Sequence, residues 1–273
     1  MQTFSSAQYH ADEFSYAYTD TADFDIDIPT HTHTNWEFLF VKDGALTYTV
    51  DGNIFDIAPN SLIISRPGAV HMLHPKGTIH YERHSFFATE SAIHSESLKA
   101  IPQDLHVLDV SKNGIILGLY EKIGFYLANL TGKQLEKVIG TIIDELLINI
   151  YLESLTPSRA VAPYSNPVIT NAIIFIKNNI LEPLSVQQVS DALFITPSYL
   201  HRCFVKHMNI TPKQYIMVQK LQLVQQALVN AANPTEICRY YGFRTYSTFY
   251  RNYQKLYGCR PSDSPQPIQK ITL

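Results

Sequence analysis

The segment TPSYLHRCFVKHMNITP, residues 196 to 212, returns 49 residues later as TYSTFYRNYQKLYGCRP, residues 245 to 261. Thr, Ser, Arg, Lys and the closing Pro recur in place, and Leu200/Phe249 and Phe204/Tyr253 agree in apolar character. A unit duplicated at fixed spacing has to fold twice into the same supersecondary structure, so this feature constrains the last third of the chain more than any other.

Each copy reads as helix, short turn, helix. Ser185 with Gln188 forms a capping box ahead of the first helix of copy one, and Asn233, Pro234 and Glu236 supply N-cap, N1 and N3 in copy two. The second helices start at Thr196-Pro197 and at Thr245. Helical spacing turns Leu200, Cys203, Phe204 and Met208 of copy one, and Phe249, Tyr253 and Leu256 of copy two, toward a core. That leaves Ser198, Tyr199, His201, Arg202 and Lys206, and Ser247, Thr248, Tyr250, Arg251 and Lys255, for solvent or a partner. A helix-turn-helix has this two-sidedness, because its second helix must pack on the first and also enter the major groove of DNA. Arg reads guanine bidentately, and Ser, Thr, Tyr and Lys suit phosphates. Between the copies, QYIMVQKLQLVQQALV offers about 16 residues, or ~24 Å, of rigid spacer.

Charge divides the chain in the same sense. From Ser165 onward there are 11 Lys and Arg against 4 Asp and Glu, while the preceding residues carry 10 against 20. The C-terminal part is fit to meet a polyanion and the N-terminal part is not. Nine of the 11 histidines precede residue 107.

The N-terminal part reads as β. FLFV, LTYTV, NIFDI and LIIS are short β-rich runs between about residues 24 and 90, and Asp51-Gly52 is a strong type I′ hairpin signal. Regular short strands predict a sandwich or barrel. From 113 to 153 the period changes to three and four, with Leu135, Val138, Ile139, Ile142, Ile143, Leu146, Leu147 and Ile150 in one stripe and IILGLYEKIGFYL as its antiparallel partner. Such a helix pair either covers its own barrel, forms a dimer seam, or does both. SLTPSRAVAPYSNP then reads as a linker.

HTHTNWEFLFVKDG, residues 31 to 44, carries the other candidate site. In strands, His31, His33 and Glu37 can share the inner face, with His71 arriving after the turn SRPGAVH and Trp36 as an aromatic wall. Imidazoles plus a carboxylate suit Fe, Mn, Zn or Ni, and the same polar positions suit hydrogen bonding to a small organic molecule. His74, His80, His84 and His94 are expected to serve ordinary polar roles.

The C-terminal residues resemble the DNA-binding domain of AraC/XylS-type transcription regulators, whose second motif is matched by Ile237-Cys238, Gly242-Phe243, Ser247, Phe249, Arg251, Tyr253, Gln254-Lys255, Gly258 and Pro261. Cys238, Tyr253 and Gln254 depart from the usual Ala, Phe and Lys, and Asn209 stands in copy one for the glycine after the reading helix. The resemblance implies base-facing roles for Ser198, His201, Arg202, Ser247, Tyr250 and Arg251, with Tyr199, Lys206, Arg244 and Lys255 counted among the DNA-binding residues. HTHTNWEFLFVKDG, SRPGAVH and YERHSFF resemble the cupin-like effector domain that such regulators place first; its spacing is also similar to the cupin metal motif.

The expected architecture is α+β and multidomain: a cupin-like effector-binding β-barrel over 1–110, a helix pair over 111–154 that dimerises the chain, a linker over 155–166, and an all-α domain of two helix-turn-helix motifs over 167–273. The expected function is that of a ligand-responsive, sequence-specific transcription regulator of the activating kind, not an enzyme. It would bind promoter half-sites as a homodimer, contact RNA polymerase, and take a small polar effector such as a sugar at His31, His33, Trp36, Glu37 and His71, with no cofactor. The rival is a cupin metalloenzyme or metal sensor using His31, His33, Glu37 and His71. No apolar run approaches the ~18 residues of a membrane span. Three cysteines without CxxC spacing and an N-terminus without an export signal lead to a cytoplasmic expectation.

Overall fold

The computed structural model describes residues 4–10, 14–89, 100–229, 233–263 and 270–272; His94 lies outside them. Two antiparallel six-stranded sheets pack face to face. In one, the order is β1 (Phe4–His10), β2 (Phe14–Phe24), β9 (Ile79–Ala88), β4 (Trp36–Asp43), β7 (Ser61–Ser65), β10 (Val107–Asp109). In the other it is β11 (Tyr164–Ser165), β6 (Asn53–Ile57), β5 (Leu46–Val50), β8 (His71–Pro75), β3 (Ile28–His33), β12 (Lys270–Thr272). The long β1–β2 hairpin, paired from Phe4↔Thr21 to His10↔Ser15, lies ahead of the stretch whose alternation pointed to strands.

Alternation decides what each face does. Leu39, Val41 and Ile63 meet Leu46, Tyr48, Val50, Phe55 and Leu73 between the sheets. The opposite face, with Phe38, Phe40, Leu62, Ile64 and Phe86, is covered by α1 (Gly114–Asn129) and α2 (Gly132–Ser154). Strand β7 is buried along its whole length because it lies between both layers, which is why LIIS reads as an unbroken apolar run. The α2 stripe from Leu135 to Ile150 is buried here, Val138 only partly, so the helix pair does cover its own barrel. Asp51 and Gly52 both have positive φ, 43° and 78°, as a type I′ turn requires.

The stretch expected to be a linker runs along the barrel. Val161 donates its amide to Val107, and β11 adds to β6 through Tyr164↔Ile54 and Ser165↔Asn53. Two unpaired strand edges, β6 and β10, supply the hydrogen-bonding groups that hold it.

The helical half begins at α3 (Pro167–Asn178), capped by Asn166 with Pro at N1. Then come α4 (Val186–Ala192), α5 (Pro197–Met208), α6 (Pro212–Val229), α7 (Pro234–Tyr240) and α8 (Tyr246–Tyr257). The Ser185–Gln188 capping box is present in both directions, and Asn233 caps α7. Two cores result. One joins α3, α4, α5 and the start of α6 and takes in Val70 of the barrel; the other joins the end of α6 to α7 and α8. No helix among the described residues is long and apolar enough to cross a membrane.

Candidate functional site

The second helices of the two repeated units, α5 and α8, start and stop alike. Thr196 accepts the amide of Tyr199 and Thr245 that of Thr248, each a side-chain N-cap. Each helix ends on a left-handed residue, Asn209 at φ 55° and Gly258 at φ 70°. In α5 the buried set is Leu200, Cys203, Phe204 and Met208, as helical spacing dictates. In α8 it is Phe249, Tyr253 and Tyr257; Leu256, expected in the core, is half-buried and touches both cores. The other faces are open. Ser198, Tyr199, His201, Arg202 and Lys206 are exposed on α5, as are Ser247, Arg251 and Lys255 on α8 and Arg244 before it; Tyr250 is half-buried. The Arg202 guanidinium lies 5.8 Å from the Tyr199 ring centre, and Arg251 Nε donates to the Ser247 carbonyl at 3.4 Å. Two guanidiniums are thus presented on equivalent turns of two similarly capped helices, with the 18-residue α6 between them.

The barrel cluster is closed and polar. β3 sets His31 opposite His71 of β8, and β4 sets Glu37 opposite Ser65 and Phe87. One ligand atom each from His31, Glu37 and His71 lie within 4.8 Å of one another, and all three residues are buried. His33 Nε2 is 3.2 Å and His71 Nε2 3.4 Å from the same Glu37 oxygen. The Nδ1 atoms contact backbone carbonyls: His31 to Pro29 at 2.8 Å, His33 to Asn35 at 2.7 Å, His71 to Ala69 at 3.0 Å. A carbonyl can only accept, so each Nδ1 carries hydrogen and a neutral ring keeps its lone pair on Nε2. For His33 and His71 that lone pair faces a carboxylate, a contact that is favourable only with positive charge supplied there, by a proton or by a metal ion. Burial works against ionisation of Glu37, but the hydrogen bond from His33 and the approach of His71 outweigh it and hold the carboxyl well below its ordinary range. His71 Nε2 and Asn35 Nδ2 are buried without a hydrogen-bond partner among the described residues. By donor type, tautomer and spacing, His31, Glu37 and His71 fit a divalent cation, with His33 bonded to Glu37 beside them.

Residues 189–264 match the model of a helix-turn-helix domain, and residues 25–80 that of a cupin domain. The chain is 31% identical over 117 residues to the XylDLEGF operon transcriptional activator of Pseudomonas putida, covering 41% of this chain and 36% of that protein, about a third of the relative's length. To XylDLEGF operon transcriptional activator 2 of Pseudomonas putida it is 30% identical over 139 residues, 50% of this chain and 85% of the relative. The chain belongs to the AraC/XylS family of transcription regulators. ToxT from Vibrio cholerae, a solved structure, aligns over 93% of this regulator and 97% of its own chain with a TM-score of 0.40 and 12% identity. The family consists of regulators and not of enzymes, so the metalloenzyme alternative falls.

The regulator brings four of its five expected effector residues together and leaves one apart. Trp36 sits on the opposite face of β4 from Glu37, stacked on Phe38 at 6.1 Å and 8° and covered by Arg66 at 5.5 Å. Adjacent strand residues point to opposite faces, so Trp36 cannot wall the pocket that Glu37 enters. Around the cluster instead stand Tyr48, its ring 5.9 Å from His71 and its hydroxyl 2.9 Å from Ser65 Oγ, and Phe87, edge-on to His33 at 5.5 Å. Cross-strand register is the signal that finds Ser65 and Phe87, and it is readable only once the strands are paired.

Proposed function

We propose that this regulator is a DNA-binding transcription activator in which α5 and α8 read two successive stretches of one promoter half-site, and that the closed polar cluster of the barrel governs it. The observation that carries the DNA reading is the pair of capped helices presenting Arg202 and Arg251 at equivalent positions on either side of α6. Activation implies contact with RNA polymerase, and the exposed apolar Phe125, Ile148 and Leu152 of the helix pair give a homodimer a surface to form on. The DNA reading is tested by selecting sites from a random duplex library and measuring anisotropy against salt. Retention of one sequence class above background supports it, and uniform salt-dependent binding to all sequences refutes it.

Two occupants of the barrel compete. A small polar effector such as a sugar matches the hydrogen-bonding chemistry of the cluster, but Glu37 already contacts His33 and His71, so such a molecule has to part them. A divalent cation needs no such opening, and the mutual approach of His31, Glu37 and His71 to within 4.8 Å favours it. Thermal shift of the full chain against Zn²⁺, Mn²⁺ and a sugar panel, each with and without EDTA, separates the two. Ligand at ~100 times its Kd stabilises by about 2.7 kcal/mol, enough to see. Metal stabilisation reversed by EDTA selects the cation; a sugar response indifferent to EDTA selects the sugar.

A further inference from the structure

Strand β3 has two occupied faces. Its inner face carries His31 and His33 of the cluster just described. Its outer face carries Thr30 and Thr32, both buried, and these are gripped by the DNA-binding half: Thr30 Oγ1 donates to the Met208 carbonyl at the end of α5 at 2.9 Å, and Gln222 Nε2 of α6 donates to Thr32 Oγ1 at 2.5 Å.

The second grip closes into a circuit. The His33 carbonyl accepts the Gly68 amide at 2.9 Å, and the Gly68 carbonyl accepts Gln219 Nε2 at 3.0 Å. Gln219 Nε2 also lies 3.2 Å from Gln222 Oε1, and Gln222 returns to Thr32. The path therefore leaves β3 by the backbone of one cluster histidine, crosses to α6 and comes back to the residue next to that histidine. The approach is close: a Cβ on Gly68 would stand 2.8 Å from Gln222 Oε1. The edge of the same three residues is also taken, since His31–His33 pair with Lys270–Thr272 of β12, beyond α8 in the chain.

We propose that β3 is the relay of this regulator, passing the state of the barrel cluster to the end of α5 and the middle of α6 through Thr30, Thr32 and Gln222. The inference rests on the reading of the cluster as the control site. The geometry supplies what a relay needs, a rigid element whose two faces belong to two sites and whose side chains on each face are bonded rather than merely adjacent. A shift or twist of β3 that improves contact at His31 and His33 must also move Thr30 and Thr32, because strand side chains on opposite faces share one backbone. Since α6 joins the two reading helices, any shift of its midpoint alters their relative placement. Thr32 and Gln222 act here as positioning residues.

Hydrogen–deuterium exchange on the full chain tests this without knowing effector or operator. Wild type is compared with Glu37→Gln, which alters the cluster, and with Gln222→Ala, Thr32→Val and each double variant. Glu37→Gln is expected to speed exchange threefold or more in peptides covering 28–33 and 208–226 while leaving 246–257 unchanged. In the Gln222→Ala or Thr32→Val background its added effect on 208–226 should fall below about 1.5-fold. An unchanged response at 208–226 in those backgrounds, or a change spread equally over 246–257, overturns the relay. The same peptides are followed in wild type with Zn²⁺ and then EDTA, which needs no variant to fold. Stabilisation by zinc with no response at 208–226 keeps the site and sinks the relay; a Glu37→Gln response without stabilisation by any ligand keeps the relay and sinks the cation reading.

Discussion

Tyr215 donates its phenolic hydrogen to Asp51 Oδ1 at 3.0 Å, across a separation of 164 residues. The other Asp51 oxygen accepts from Lys177 Nζ at 2.6 Å, so the tip of the β5–β6 hairpin is held by α3 and α6 together. Burial, the Asp51 charge and the hydrogen bond all push the Tyr215 hydroxyl well above its ordinary value, which keeps it a donor throughout the physiological range. Tyr215→Phe should therefore cost roughly 1.5 to 3 kcal/mol, the range for a buried hydrogen bond to a charged group. Urea unfolding with unchanged m-value is the measurement; a loss within about 0.5 kcal/mol would show that Lys177 and the Val70 amide satisfy Asp51 without Tyr215.

Gly52 beside it is a second check on the same contact. At φ 78° with a Cβ position 2.2 Å from Ile169 Cγ2, Gly52→Ala has neither the backbone conformation nor the room, and should destabilise by more than ~1 kcal/mol. Gly118→Ala, inside α1 with nothing within 4 Å, should instead stabilise by roughly 0.5 to 1 kcal/mol. Opposite signs in one calorimetry series are expected; equal signs would place the hairpin tip away from α3.

On the reading helices, Arg202→Ala and Arg251→Ala should each cost about 1 to 3 kcal/mol on a selected site and relax the preference at one or two base pairs. Lys206→Ala and Lys255→Ala should weaken all sequences alike and reduce the salt dependence by about one counterion each. Anisotropy titrations at several salt concentrations separate the two kinds of loss. Base preference that survives Arg251→Ala intact would remove that side chain from sequence readout.

The pH response should come from His80, whose ring bridges two carboxylates, Asp43 at 2.7 Å and Asp20 at 2.8 Å. The hydrogen bonds to Asp43 and Asp20 raise its pKa above the ordinary 6.5. A raised histidine contributes stability that is fully present below 6.5 and is lost as pH rises through the folded value. Asp43, lowered by its hydrogen bond to His80, acts in the other sense: its contribution is present above its ordinary 3.8 and is lost as pH falls through its folded value. The Tm difference between wild type and His80→Asn should thus be largest between about pH 4 and 6.5 and fade toward pH 9. A difference that grows toward alkaline pH would contradict the bridge.

What could be read from the residues alone was local chemistry. The caps at Ser185, Thr196, Asn233 and Thr245, the left-handed Asn209 and the Asp51-Gly52 turn each act within four residues, and the structure has all of them. The cluster was legible for the same reason on β3, where His31 and His33 share a face. Alternation along β4 sends Trp36 to the face opposite Glu37, away from the cluster that its place in HTHTNWE suggests. The grip of Gln222 on Thr32 had no local signal, since 190 residues separate them and a glutamine in a helix otherwise reads as surface. Likewise the stretch from 155 to 166 carries no local signal of the β6 edge that its Tyr164 and Ser165 cover, because that edge lies about 110 residues earlier in the chain.

The two reading helices are alike but their approaches differ. Four residues, 193–196, separate α4 from α5, and five, 241–245, separate α7 from α8. With His201 on one helix and Tyr250 on the other, a single polypeptide carries two dissimilar helices in a fixed order. On the proposed reading, the half-site that these two helices meet therefore has a direction. Unlike a palindrome, which looks the same from either strand, such a site tells the bound protein which way along the chromosome it faces, and turning the site around turns the protein with it.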